Sequence, residues 1–122
     1  MDMNIYIYSF LLIFLFACKS DSELSIERGI YFYDWGKYNE AIIEFNKSKF
    51  YQLNKRNQTY NDLKLLAQVY YNLAITYAKI DMYEVAYKEA QHAVSLVPNK
   101  EYREVLDLIK NQLIANQNIT NP

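Results

Sequence analysis

The chain of 122 residues offers few side chains that could perform covalent chemistry. Cys18 is the only cysteine and His92 is the only histidine. A zinc site needs several Cys or His ligands and a nucleophilic thiol needs a nearby base, so this pair provides neither. The sequence also lacks a glycine-rich phosphate-binding loop. These features predict a protein that is not an enzyme and uses no cofactor or metal, with His92 on the surface.

Cys18 stands where an apolar run meets a polar stretch. The run, Ile5 to Ala17, has 13 residues, fewer than the ~20 that a helix needs to cross a bilayer. A run of this length is typical of an export signal. The residues Leu15-Phe16-Ala17-Cys18 resemble a bacterial lipobox, which implies cleavage before Cys18 and attachment of a diacylglyceryl group to its thiol. We therefore predict a signal peptide over 1–17 and a lipidated cysteine with a short tether over 18–22.

The start of the chain also supports an alternative. Residues 1–4 carry no Lys or Arg, whereas export signals normally begin with positive charge, and Phe16 is bulkier than the residue that most lipoboxes have there. In the alternative, Cys18 is an unmodified residue of a hydrophobic first helix.

Charge and composition narrow the choice of partner and fold. Loss of residues 1–17 removes one acidic residue, Asp2, and no base, which leaves 13 acidic and 13 basic side chains. This balance gives no electrostatic footprint for nucleic acid. Two glycines and two prolines are too few for the many turns of a sandwich or barrel, so the composition favours long helices.

Two stretches share one pattern of large and small residues. Small residues let two antiparallel helices approach closely, and large residues fill the space between them. The equivalent residues Gly29 and Ala74 are 45 positions apart, which is one unit of about 34 residues plus about 11, a length that keeps the apolar face in register. The clearer copy contains Tyr70, Leu73, Ala74, Tyr77, Ala86, Ala90, Ala93 and Pro98, and the fainter copy Gly29, Phe32, Ala41, Phe45 and Ser48.

This pattern resembles the tetratricopeptide repeat (TPR) family. The resemblance implies an all-α fold of two antiparallel helix hairpins, with repeats at about 22–53 and 67–100, inside a domain over 23–115. The second unit departs from the signature only at Ala90, and the first departs at Ser25, Arg28 and Leu53.

Local signals place the helix ends. Ser22 is expected to cap the first helix, and Thr59 or Asn61 the third. A last helix over 101–115 has one apolar stripe and a polar outer side, which predicts a cap that closes the stack. Residues 116–122 are expected to form a flexible tail.

In the TPR family the first helix of each repeat lines a concave groove. The apolar residues at the groove positions of both first helices would form an exposed strip that no other part of the chain covers. An alternative is that the first helix is rotated and that Ile26 and Ile30 belong to the core. A carboxylate clamp is not expected, because Ile26 and Ile30 replace its Lys and Asn, and an amphipathic helix or extended apolar segment fits better. Carried over position by position, the partner groove consists of Ile26, Ile30, Tyr33, Gln68, Tyr71, Asn72, Ile75 and Lys79.

The small number of repeats predicts a partner. Repeat stacks generally need about three units to bury a continuous core, and this chain has two with a cap. The missing cover is expected from another protein or from self-association.

The order of anchor and repeats resembles the BamD-type lipoprotein subunit of the outer-membrane β-barrel assembly machine. This resemblance implies an accessory scaffold subunit, anchored by lipid in the outer membrane on its periplasmic face, with an outer-membrane assembly protein as partner. Two alternatives stay open. One is a surface-exposed lipoprotein that binds an external protein. The other is a module that binds a small apolar ligand between Tyr33 and Tyr71.

Overall fold

The structure, a computed structural model, describes residues 2–8 and 19–120. These residues contain helices and no strand, so the predicted all-α fold is confirmed. Residues 2–8 form a short helix with exposed side chains. The expected cleavage site and the lipid attachment at Cys18 lie outside the described residues. Five longer helices follow: α1 (Asp21–Asp34), α2 (Tyr38–Leu53), α3 (Tyr60–Lys79), α4 (Tyr83–Leu96) and α5 (Lys100–Thr120).

The helices form antiparallel hairpins that stack side by side. Helix α1 packs on α2, α3 packs on α4, and further contacts join α2 to α3 and α4 to α5. The backbone of α3 also approaches those of α1 and α5, whereas the backbones of α2 and α4 do not approach each other. Helices α1, α3 and α5 therefore line the inner, concave side of the stack, and α2 and α4 form its outer layer.

Capping boxes begin α1 and α3. The Ser20 hydroxyl accepts a hydrogen bond from the Glu23 backbone N–H at 3.2 Å, and the Glu23 carboxylate accepts one from the Ser20 N–H at 2.9 Å. Thr59 and Asp62 form the same pair at the start of α3. Each box satisfies two N–H groups that the helix itself leaves free. The prediction of Thr59 as a cap is confirmed.

The prediction of Ser22 as the first cap is wrong, because the helix begins before this residue. Ser22 is buried, and its hydroxyl lies 2.6 Å from that of Ser48 and accepts a hydrogen bond from the Gln52 amide at 2.9 Å. These contacts join α1 to α2. In the second hairpin the equivalent residues, 45 positions later, are the buried Ala67 and Ala93, so both positions are apolar there.

The turns of the two hairpins have the same conformation. Gly36 has φ of 71° and Asp81, 45 positions later, has φ of 62°. In both turns this residue donates its amide to the carbonyl three residues back, and the next amide donates to the carbonyl five residues back. These bonds satisfy carbonyl groups at the end of the preceding helix. The offset between Gly29 and Ala74 therefore also holds for the backbone of the turns.

Two apolar cores hold the stack together, and α3 contributes to both. The first joins Ile26, Ala41, Phe45, Val69 and Leu73 from α1, α2 and α3. The second joins Ala74, Ala86, Ala90 and Ile109 from α3, α4 and α5. Ala90, where the TPR family has a larger residue, leaves room for Ile109 in this second core.

Helix α5 extends further than the sequence predicted. It continues to Thr120 instead of ending at residue 115, and the side chains of residues 116–120 are exposed. This part of the predicted tail is helical because the sequence contains no Gly or Pro that would end the helix before Pro122. Residues 121 and 122 lie outside the described residues.

Candidate functional site

Two neighbouring pockets open on the concave side of the stack. The α1 pocket has a volume of about 380 Å³ and lies between α1 and the first half of α3. The α5 pocket has a volume of about 460 Å³ and lies between the end of α1, the second half of α3 and α5. Residues of the α1 pocket include Lys19, Glu23, Ile30, Leu65 and Gln68. Residues of the α5 pocket include Tyr33, Ile75, Lys79, Val105, Leu108 and Ile109.

Most of the predicted groove residues line one of these pockets. The predicted groove positions of α1 and α3 thus lie on one concave surface, with Tyr71 and Asn72 as exceptions. The residues that line the pockets are Ile26, Ile30 and Gln68 in the α1 pocket and Tyr33, Ile75 and Lys79 in the α5 pocket.

Ile26 belongs mainly to the core. Its side chain is 4% exposed and packs in the same cluster as Phe45. The residues beside it on α1, Ser25 and Gly29, are too small to fill the interior, so Ile26 fills it. The expectation that Ile26 is part of an uncovered strip is therefore corrected, whereas Ile30 is 38% exposed and stays at the surface.

Asn72 is also enclosed, which corrects its placement in the open groove. Its side chain is 8% exposed because α3 is the middle one of the three inner helices. The amide nitrogen has no hydrogen-bond partner among the residues that the structure describes. The backbone carbonyl of Asn72 accepts a hydrogen bond from the Thr76 hydroxyl at 2.6 Å. Asn72 is therefore largely covered by the protein's own helices.

Tyr71 is half-covered by α5. Its ring stacks on that of Tyr102 with 4.8 Å between the ring centroids, and its hydroxyl donates a hydrogen bond to Glu101 at 3.0 Å. Burial and this bond to a carboxylate raise the pKa of Tyr71 to about 12. Tyr71 lies one turn from Gln68 and from Ile75, so the stacked pair stands between the two pockets.

Helix α5 adds residues to the groove that sequence reasoning missed. Val105, Leu108, Ile109 and Gln112 line the α5 pocket, although the sequence predicted only a cap with a polar outer side. Leu108 is 65% exposed. The sequence contains a signal for this exposed position, because Leu108 is apolar but lies outside the stripe that Tyr102, Val105 and Ile109 form.

The two pockets differ in charge. The α1 pocket is edged by Glu23 and Glu27, and Lys19 pairs with Glu27. Hydrogen bonds from the backbone and side chain of Ser20 lower the pKa of Glu23, which favours its charged form. The α5 pocket has Lys79 at its edge, and burial raises the pKa of its Tyr33. The concave face is therefore acidic near the start of α1 and carries a base near the end of α3.

The described residues show where His92 lies. His92 is exposed, and its ring stacks on Tyr70 at a centroid distance of 4.9 Å. Within residues 2–8 and 19–120, no group of three His, Cys, Asp or Glu side chains is placed to hold a metal ion. Over the same residues, no helix has both the length and the apolar character to span a membrane. The geometry of the concave face suits non-covalent binding.

Comparison with known proteins gives no family assignment. No protein-family model matches the chain, and no curated protein shows significant similarity to it. The likeness to the TPR family therefore rests on the repeated sequence pattern and the helical hairpins.

Proposed function

We propose that this protein is a lipid-anchored envelope scaffold that binds a partner protein on its concave face, as an accessory subunit of outer-membrane protein assembly. The observation that carries the proposal is the α5 pocket, where Leu108 is 65% exposed beside Ile75 and Val105. Full burial of such a side chain contributes about 1.5–3 kcal/mol. Uncovered apolar side chains in a concave surface are typical of an interface.

The spacing of the pockets supports an amphipathic helix as the bound segment. Gln68 in the α1 pocket and Ile75 in the α5 pocket are seven residues apart on α3, which is about 10 Å along a helix. A partner helix with apolar anchors at i and i+7 spans the same distance. Glu23 at one end would attract a basic residue of that helix, and Lys79 at the other an acidic one.

The anchor is supported by sequence alone. The apolar run before Cys18 and the lipobox-like residues support export and acylation of the thiol. Incorporation of labelled fatty acid into the chain, and its loss in Cys18→Ser, would test this. Label retained by Cys18→Ser would contradict the anchor.

Photo-crosslinking in intact cells tests the groove. A photoreactive amino acid replaces Leu108 in the α5 pocket, and the matched control replaces Ile43, which is 57% exposed on α2 in the outer layer. We expect position 108 to crosslink to a protein of the outer-membrane assembly machine and position 43 to give much less product. Equal products from both positions, or products from 43 alone, would contradict the proposal.

Two alternative functions have distinct tests. A surface-exposed lipoprotein that binds an external protein would be removed by protease added to intact cells, whereas a periplasmic one would be protected. The volume of the α5 pocket, about 460 Å³, lies in the range of small-molecule sites, which supports a small apolar ligand as the second candidate. Native mass spectrometry of the purified chain would show such a ligand as added mass.

A further inference from the structure

One face of α1 carries large apolar side chains outside the concave groove. Leu24, Arg28 and Tyr31 follow one another at spacings of four and three residues, so they share one side of α1, and Trp35, four residues after Tyr31, directly follows the helix. Leu24 is 38% exposed, Tyr31 59% and Trp35 69%. The rings of Tyr31 and Trp35 lie together, with 6.0 Å between their centroids.

The second repeat shows what normally covers this face. The residues of α3 that lie 45 positions after Leu24, Arg28 and Tyr31 are Val69, Leu73 and Thr76, and all three are fully buried. Val69 and Leu73 pack with Phe45 of the preceding helix α2. In α1 the same face is the open end of the stack, and its exposed side chains have no such helix against them within residues 19–120. A terminal repeat needs a polar outer face to stay soluble, so the aromatic side chains here indicate a binding surface.

Two cations and two acidic groups lie on this end of the stack, and the exposed acid, Asp21, is one turn before Leu24. Arg28 and Lys47 both bind the carboxylate of Glu44, at 3.2 Å and 2.8 Å. The side chains of Arg28 and Lys47 are 56% and 50% exposed, whereas that of Glu44 is only 10% exposed. The two cations therefore cover the anion. The next turn of α2 adds Tyr51, which is 44% exposed.

We propose that this face, made of Leu24, Arg28, Tyr31, Trp35, Lys47 and Tyr51, docks on the surface of a phospholipid bilayer. Trp and Tyr rings favour the boundary between acyl chains and headgroups, because one end of each ring is apolar and the other is polar. Arg and Lys side chains bind headgroup phosphates while their stems lie along apolar surface. Exposed aromatic and basic groups on one helix face are typical of helices that lie in the membrane interface.

The inference rests on the lipid anchor of the proposed function. An acylated Cys18 would stand three residues before Asp21, the first residue of α1, and three extended residues span about 10 Å. The anchor would thus hold the start of α1, where Leu24 lies, next to the bilayer. Ile30 and the α1 pocket lie on another side of α1, so docking would leave the concave groove accessible to a partner protein.

Trp35 is the only tryptophan of the chain, which makes its fluorescence a specific probe. The lipidated protein is reconstituted in vesicles of phosphatidylethanolamine and phosphatidylglycerol, with and without lipids that carry bromine on their acyl chains. We expect the emission of Trp35 to shift to shorter wavelength in vesicles, brominated lipid to quench it, and acrylamide in the water to quench it less than in detergent. Full quenching by acrylamide with none by brominated lipid would overturn the proposal. Protection from acrylamide that increases with protein density, without quenching by brominated lipid, would also overturn it and indicate a second copy on this face.

Two variants distinguish docking through this face from docking through the groove. Each introduces one charge at an exposed apolar position. Tyr31→Glu should lose the quenching by brominated lipid, whereas Leu108→Glu in the α5 pocket should keep it. Far-UV circular dichroism checks that both variants stay helical. Equal quenching in Tyr31→Glu and the parent protein would contradict docking through α1. Failure of the anchor is seen separately, because a chain without labelled fatty acid fails the proposed function, whereas an accessible Trp35 in a chain shown to be lipidated fails only the docking.

Discussion

A Cβ atom added to Gly29 would lie 2.5 Å from the ring of Phe45. Phe45 is 1% exposed, so its ring has little freedom to move away. The residues 45 positions later are Ala74 and Ala90, which are also buried in a shared core. The paired helices of the two hairpins therefore approach each other closely with different residues. The first hairpin has a glycine against a phenylalanine, and the second has two alanines.

The first prediction concerns this contact. Gly29→Ala should destabilise the protein by about 1–3 kcal/mol, because the added methyl overpacks the core, even though alanine favours a helix over glycine by about 0.5–1 kcal/mol. The measurement is chemical denaturation followed by circular dichroism. Phe45→Leu removes the ring atoms nearest to the new methyl, so the double variant should be more stable than the sum of the two single effects. Additive single effects would contradict the steric explanation.

A second prediction concerns the two turns. Gly36 has no side-chain or backbone atom near its missing Cβ, so Gly36→Ala changes only the backbone preference at φ of 71°. We expect a loss of about 1–2 kcal/mol, the cost of the left-handed conformation for a residue with a Cβ. Asp81 has the same conformation, and its carboxylate accepts a hydrogen bond from the Tyr83 hydroxyl, so in a Tyr83→Phe background Asp81→Gly should stabilise the protein by up to about 1 kcal/mol. Thermal unfolding of both variants checks the opposite signs, and a shift of both in the same direction would contradict the argument.

A third prediction concerns pH. Hydrogen bonds from Lys55 and from the backbone and side chain of Thr59 lower the pKa of Asp62 to about 2, from an ordinary value of 3.8. A carboxylate with a lowered pKa in the folded state stabilises the protein above its unfolded pKa and loses this effect as the pH falls. The contribution of Asp62 should therefore be complete at pH 6 and decline between about pH 4 and pH 2.

Asp62→Asn is the control for this pH effect. The variant should be less stable than the parent at pH 6, and the difference between the two should shrink as the pH approaches 2. Denaturation curves at several pH values measure this difference. A difference that is constant from pH 6 to pH 2 would show that the charge of Asp62 is not responsible.

A fourth prediction concerns the attachment of α5. Tyr71→Ala removes both the stack on Tyr102 and the hydrogen bond to Glu101, so hydrogen exchange in α5 should become faster. Tyr71→Phe keeps the ring and loses only the hydrogen bond, a loss of about 0.5–1.5 kcal/mol. Its effect on α5 should be smaller, and exchange in α1 should stay unchanged in both variants. Equal effects of the two variants would show that the stacked rings contribute little.

The sequence was sufficient to predict the helical hairpins because their spacing signals are local. The cap at Thr59 and the pattern from Tyr70 to Ala93 depend only on near neighbours along the chain. The sequence left the burial of Ile26 only as an alternative, because that burial also depends on the position of Phe45 on another helix. The contribution of Leu108 to the groove depends likewise on the distance between α3 and α5, which no local pattern gives.

The position of α3 has a consequence for how the molecule unfolds. Consecutive residues of this helix serve different cores, since Leu73 packs in the first and Ala74 in the second. Unfolding of either hairpin alone would expose apolar residues of the other. We therefore expect a single cooperative unfolding transition. If the chain is divided within residues 54–59, each of the two fragments should be largely unstructured until the fragments are mixed.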